Sequence, residues 1–359
     1  MSPLVSFVVP CYKLAHLLPQ CVNSILSQDF KDFEVLIMDN CSPDQTPHVA
    51  QSFDDARVQH VRNESNLGHI RNFNKGITLA AGKYVWILHA DDLLRSPHVL
   101  RCFVEVMEQN ARVGFVFCRA VEMQGEAETA IAQWADCGDN DHIWRDRTFF
   151  VRLIESNCIV ASSVLVRKQC YDKVGLFQVD LPFACDWYMW GLLAMHYEAA
   201  YFAEPMVVSR LHQDSLTAAN FREHTRICIA DEFVVLQRLG HDAESAGLVF
   251  LHDECDTAFV RRAVRLLGAG LTGVFPSMST TEFENILQTR IPNRKTTKQM
   301  RAAVYTNLAD EQYWRGEYAQ AAQSYWLGLA ARPCRLKTWT KYLLLRSGGV
   351  GIRIRQLSH

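Results

Sequence analysis

The sequence predicts an α/β protein, a mostly parallel sheet with flanking helices, followed by an α-helical C-terminal domain. Three observations lead there. Apolar strand-like runs alternate with amphipathic helical stretches up to about residue 118; the strand-like runs end in polar residues; and past about residue 217 the strand signal fades into helical periodicity. Alternation of this kind connects parallel strands through crossovers that cover both faces of the sheet. The expected domains are residues 1–216 and 217–359.

The first element is Leu4-Val5-Ser6-Phe7-Val8-Val9-Pro10, a short apolar run ending at a proline, which suits a buried parallel strand. Leu14, Leu17, Leu18, Cys21, Val22 and Ile25 then share one face of a helix running to Gln28, and residues 34–39 read as the next strand. The alternation continues with a helix over 46–53, a strand over 57–62, a helix over 70–81 and a strand over 84–88. Pro97 is placed in the first turn of a helix that reaches Asn110, and a strand follows over 114–118. In the C-terminal part, Leu308, Gly316, Tyr318, Ala321, Tyr325 and Pro333 fall where a tetratricopeptide-like helix pair, near 303–333, places its small and aromatic residues. Two plain antiparallel helices fit the same pattern.

With 359 residues, 49% apolar and 21% charged, the chain can bury a large core in two domains. A net charge of −2 offers no broad positive field, which argues against a nucleic-acid partner. No run of eighteen apolar residues occurs, and the N-terminus enters a strand without a basic region or cleavage site. The expectation is a cytoplasmic protein, with any contact to the inner face of a membrane or to another protein made by the C-terminal helices. There Arg335, Lys337, Lys341, Arg346, Arg353 and Arg355 interleave with Trp339 and Tyr342, although a solvated last helix is the preferred reading. The 12 cysteines show no Cys-x-x-Cys or zinc spacing and read as reduced, mostly buried thiols. Gly348, Gly349 and Gly351 lack the Gly-Lys-Ser/Thr ending of a phosphate loop.

Chemistry concentrates at the strand ends. The loops after the first four strands carry Cys11-Tyr12-Lys13, then Asp39-Asn40-Cys41-Ser42, then Asn63-Glu64-Ser65-Asn66 with Arg71-Asn72 beyond, then His89-Ala90-Asp91-Asp92. A doubly wound sheet gathers such loops into one cleft outside the carboxyl ends of its strands. The sharpest element is Asp91-Asp92 behind an apolar strand, because adjacent carboxylates repel unless a cation compensates. That pattern points to a hard divalent metal bridging to phosphate oxygens, with helix capping as the alternative.

In order and spacing, Val8-Val9-Pro10-Cys11-Tyr12, residues 35–42, Asn66-Leu67-Gly68, Arg71-Asn72, residues 80–84 and His89-Ala90-Asp91-Asp92 resemble the family 2 glycosyltransferases of GT-A fold, over roughly the first 215 residues. The resemblance implies that Pro10, Tyr12 and Asp39 hold the nucleoside, with Asn66, Arg71 and Asp91 also on the nucleotide sugar. It makes Asp92 a metal ligand. His89 stands where the family often has an acid, and a structural role is the preferred reading for it. Asp186, opening an apolar helix, corresponds to the catalytic base; Cys185 replaces its usual acidic neighbour, and capping is the competing role. His212, in Ser209-Arg210-Leu211-His212-Gln213-Asp214-Ser215, corresponds to a histidine that completes the metal shell.

The implied activity is inverting transfer of a sugar from a nucleoside-diphosphate sugar to a hydroxyl of a saccharide, lipid-linked or other acceptor, with Mn2+ or Mg2+, in bacterial surface polysaccharide or glycoconjugate synthesis. Two alternatives stay open: a degenerate GT-A domain serving as a binding or scaffold protein, and a sugar nucleotidyltransferase. Acceptor pockets are built by variable loops, here residues 122–147.

Overall fold

The computed structural model describes residues 2–212, 225–268, 278–291 and 294–347. The chain forms two compact units, Met1–His224 and Thr225–His359. The expected boundary at 216/217 lies outside the described residues.

The first unit begins with β1 (Val5–Cys11), α1 (Leu18–Leu26), β2 (Phe33–Asp39), α2 (Thr46–Gln51), β3 (Val58–Arg62), α3 (His69–Leu79) and β4 (Tyr84–Ile87). β1 lies parallel between β2 and β4, and β3 continues the parallel ladder beside β2. β1, β2 and β4 are buried along their whole length, which is why they read as continuous apolar runs rather than alternating ones. Pro10 is tolerated in this central strand because its β4-facing side lies beyond the last β1–β4 pair, Val8 with Ile87. Two boundaries differ from expectation. α1 starts at Leu18 rather than Leu14, since Pro19 has no N–H to continue a helix from the preceding turn. Pro97 precedes the N-cap of its helix, His98, instead of standing in the first turn.

The chain continues with β5 (Leu93–Leu94), α4 (Val99–Gln109), β6 (Val113–Gln124), β7 (Ala127–Ile131), β8 (His142–Trp144), α5 (Thr148–Glu155), β9 (Val164–Arg167), α6 (Gln169–Val174), α7 (Cys185–His196) and β10 (Glu198–Leu211). The sheet runs β3-β2-β1-β4-β9-β6-β10-β5, with β7 and β8 paired to β6 and β10. β9 is antiparallel to both β4 and β6, so it joins the parallel half to a second parallel pair, β6 with β10. The sheet is therefore mixed around a parallel core. One hydrophobic core packs α1 and α4 against it, centred on Phe7, Trp86 and Phe103.

In the second unit the described residues form α8 (Thr225–Ser245), α9 (Val249–Leu267), α10 (Thr280–Arg290), α11 (Arg294–Trp314), α12 (Tyr318–Ala331) and α13 (Leu336–Arg346). Gly316, with φ +81°, makes the tight turn between α11 and α12, and Ala309, Tyr313, Ala321, Tyr325 and Leu345 form a small core. Within that unit Lys341 pairs with Asp310, and Trp326, Trp339 and Tyr342 contact one another's rings. The glycines at 348–351, Arg353 and Arg355 lie outside the described residues. No described helix is long and apolar enough to cross a membrane.

Candidate active site

The β4 strand delivers its polar end through a tight turn: the Leu88 N–H bonds the Val8 carbonyl at 3.0 Å and the Asp92 N–H bonds back to the His89 carbonyl at 2.9 Å. The turn brings His89, Asp91 and Asp92 together. Each offers one ligand atom, and these lie within 4.8 Å of one another. Asp92 is 5% exposed, and burial together with the Asp91 charge pushes its carboxyl up to about 7. Its Oδ1 accepts the backbone N–H of Arg210 at 2.9 Å, while the Arg210 guanidinium bonds the Asp91 carbonyl, the Gly125 carbonyl and Gln20 Oε1. β10 is thereby stitched to the acid pair.

Burial also opposes the charge on Asp91, but the hydrogen bond to His212 Nε2, at 2.8 Å, and the His89 charge outweigh it and hold the Asp91 carboxyl below its ordinary value. Burial lowers the His89 pKa against the pull of Asp91 and Asp186. Its ring stacks on Phe73 at 5.4 Å. The geometry thus groups His89 directly with the acids, although the sequence favoured a structural role for it, and His212 reaches the group by way of Asp91. Two carboxylates and an imidazole form a donor set that suits Mn2+ or Mg2+, and the mutual repulsion of the acids is what a cation would relieve.

Asp186 stands in the first turn of α7. The N-cap there is Ala184, which has no side-chain cap, and Asp186 stands one position inside the first residue of the helix, where it still serves a first-turn N–H. Its Oδ1 accepts the Trp187 N–H at 2.7 Å and its Oδ2 accepts Asn157 Nδ2 at 3.1 Å. Burial raises its carboxyl despite those bonds and the nearby His89. Cys185 is buried in the same turn.

The other polar loops meet at the ends of β1, β2 and β3. Asp39, 0% exposed, accepts the Ser42 N–H at 2.8 Å on one oxygen and faces Arg62 at 3.0 Å and His60 at 3.3 Å on the other. It is an engaged carboxylate rather than a bare acceptor, and neither partner was singled out in the sequence. Asn66 Oδ1 accepts from Asn40 Nδ2 and from the Gly68 N–H, both at 2.8 Å; Asn40 in turn accepts from Asn63, which donates to Asn72. This asparagine chain fixes the loop between β3 and α3. Pro10 is buried, Tyr12 is 39% exposed with Lys13 above its ring, and Arg71 is exposed on α3. Lys13 and Cys41 both adopt left-handed φ, +62° and +61°, and the Lys13 N–H bonds Ser42 Oγ at 3.2 Å. Such strain is stored where surrounding contacts over-determine a loop.

Residues 6–175, which carry the parallel core of this sheet and the His89, Asp91 and Asp92 group, match Glycosyl transferase family 2. The glycosyltransferase GlyG of Streptococcus pneumoniae is 32% identical over 115 residues, 32% of this chain and 38% of that protein. The putative colanic acid biosynthesis glycosyl transferase WcaA of Escherichia coli is 28% identical over 35% of this chain and 45% of its own length. A Campylobacter jejuni GalNAc(5)-diNAcBac-PP-undecaprenol beta-1,3-glucosyltransferase is 37% identical over 26% and 31%. The chain thus spans less than half the length of each of these three relatives. Among solved structures, S. aureus TarS 1–349 in complex with UDP-GlcNAc aligns with a TM-score of 0.59 at 16% identity, covering 97% of this chain and 91% of that one. The mannosyltransferase PcManGT of Pyrobaculum calidifontis, with GDP-Man and Mn2+, aligns at 0.50 and 21% identity over 86% and 88%. These likenesses are of fold, and the fold is of GT-A type.

Proposed function

We propose that the protein transfers a sugar from a nucleoside-diphosphate sugar to an acceptor hydroxyl with inversion at the anomeric carbon. The observation that carries this reading is the meeting of His89, Asp91 and Asp92 at the end of β4, within electrostatic reach of a second, separately held carboxyl at Asp186. His89, Asp91 and Asp92 would hold a divalent cation, with His212 orienting Asp91; when bound, such an ion neutralises diphosphate charge and so favours its departure. The donor complexes of TarS and PcManGT support a nucleoside-diphosphate sugar as the donor class. Pro10, Tyr12, Asp39, Asn66 and Arg71 belong to its nucleotide end, where the Asp39 carboxylate and the asparagine chain hold the loops in place.

Asp186 accepts the proton of the attacking hydroxyl. Its raised carboxyl is a stronger base than a surface acid, and Asn157 and the Trp187 N–H fix its orientation. Attack opposite the diphosphate in one displacement inverts the anomeric centre and requires no covalent nucleophile. The names of the relatives support a saccharide or lipid-linked acceptor. A thermal-shift screen of nucleoside-diphosphate sugars with and without Mn2+ tests the reading, since a ligand at a hundred times its Kd adds about 2.7 kcal/mol of stability. A metal-dependent rise with one donor is expected; no rise with any donor, metal present or absent, contradicts it.

A further inference from the structure

The first unit contains a thiol pair outside the acid cluster. Cys137, half-buried in the segment between β7 and β8, and Cys158, buried between α5 and β9, have sulfurs 3.6 Å apart. Both segments are anchored. Asp136 binds Arg119 at 2.7 Å, Tyr201 Oη donates to the Gly138 carbonyl at 3.0 Å, and Arg152 Nη2 donates to the Asp136 carbonyl at 2.7 Å. The Arg152 guanidinium therefore lies beside the pair. The Cys158 hydrogen bond, aided by Arg152, holds the Cys137 thiol below its ordinary value, whereas the same contact and burial push the Cys158 thiol up. Cys137, half-buried, is the more accessible thiol and serves as the nucleophile of the pair, with the buried Cys158 as its resolving partner.

The neighbour of Cys158 in the chain is Asn157, whose Nδ2 donates to Asp186 Oδ2 at 3.1 Å and whose Oδ1 accepts the Ile159 N–H at 3.2 Å. We propose that Cys137 and Cys158 form a reversible disulfide modification site, and that closing it draws Asn157 off Asp186. A disulfide needs sulfurs about 2.05 Å apart, so the pair must close by about 1.5 Å from its 3.6 Å separation. The co-reactant is a low-molecular-mass disulfide. The Cys137 thiolate attacks one of its sulfurs and expels one thiolate; Cys158 sulfur then attacks Cys137 sulfur and expels the second. Two electrons pass to the reagent, and its two thiols carry off the two protons. The consequence for turnover rests on the glycosyl-transfer reading; the cross-link itself does not.

The test uses the full chain, incubated with glutathione disulfide and digested without reduction for peptide mapping. A peptide linking 137 to 158 is expected as the first internal cross-link among the twelve cysteines, absent from Cys137→Ser and reversed by dithiothreitol. Cross-links that favour other cysteines, or none, overturn the site. With the cross-link in hand, sugar transfer should fall at least several-fold in the oxidised protein and recover on reduction, while Cys137→Ser is unresponsive. Unchanged transfer in the cross-linked protein overturns the coupling to Asp186. Absence of transfer in both redox states instead refutes the proposed function, and the peptide map still decides the thiol site.

Discussion

Asp186 and Asp92 are raised by the same cause, burial, but their surroundings separate their roles. Asp186 is held by a side-chain amide and a backbone N–H, an arrangement that orients a proton acceptor; Asp92 stands against a second acid. Asp186→Asn keeps the shape and can still accept the Trp187 N–H while removing the basic oxygen, so turnover should fall by roughly 10²-fold or more with little change in Tm. Steady-state kinetics beside a melting curve check this, and near-normal turnover would assign the proton to another group. The two histidines are separable as well. His89→Ala should weaken Mn2+ binding more than His212→Ala, because His89 offers a ligand atom to the proposed site whereas His212 hydrogen-bonds Asp91; metal titration in the presence of a nucleoside diphosphate orders them. The acids were singled out in the sequence because adjacent carboxylates behind an apolar strand repel unless a cation compensates, with helix capping as the alternative. His89 stands beside them in the structure, and a lone histidine in sequence looks the same whether it ligates or packs. Arg62 and Arg210 went unrecognised as partners because each meets its carboxylate or carbonyl only after strands distant in sequence come together.

At the scale of elements, the site depends on how closely β4 approaches β1. Gly82 leads into β4, and its N–H bonds Ser6 Oγ at 2.8 Å; a Cβ there would lie 2.7 Å from the Ser6 backbone nitrogen and 2.8 Å from the Val5 carbonyl carbon. Gly82→Ala should therefore cost about 1–3 kcal/mol through forced backbone shifts, read as a lower denaturation midpoint. Gln28 plays a comparable part for α4. Fully buried, it donates to the Ser24 and Ser96 carbonyls and accepts the Leu100 N–H at 2.9 Å, so Gln28→Ala strands buried backbone groups at about 1–3 kcal/mol. Urea unfolding measures it. Apart from the two-residue β5, the elements up to β6 were legible since each carries a single period and a punctuating proline, glycine or polar loop. β9 and β10 were not assigned: four residues of Val-Leu-Val-Arg follow a turn without a strand signal of their own, and β10 is interrupted by Glu204 and Pro205 where its register on β6 shifts. Tertiary pairing, rather than local pattern, makes these two segments strands.

For the whole molecule, the division into Met1–His224 and Thr225–His359 places every residue of the acid cluster, Asp186 and the nucleotide loops in the first unit. A chain ending at His224 is expected to fold and to retain nucleoside-diphosphate binding while losing acceptor use or assembly; transfer as efficient as that of the full chain would exclude the helical unit from the reaction. The switch from alternating strands and helices to helices alone was visible in the sequence, whereas the place of the boundary was not, as no composition break marks it. In the proposed reaction Asp92 and its neighbours would bind the diphosphate end of a donor through a divalent cation. Calorimetric titration of a nucleoside diphosphate into the full chain, with and without Mn2+, and into Asp92→Ala, tests it most directly. Mn2+-dependent binding in the native chain and loss of that dependence in Asp92→Ala are predicted; equal affinity and equal Mn2+ dependence in the two proteins would contradict the account.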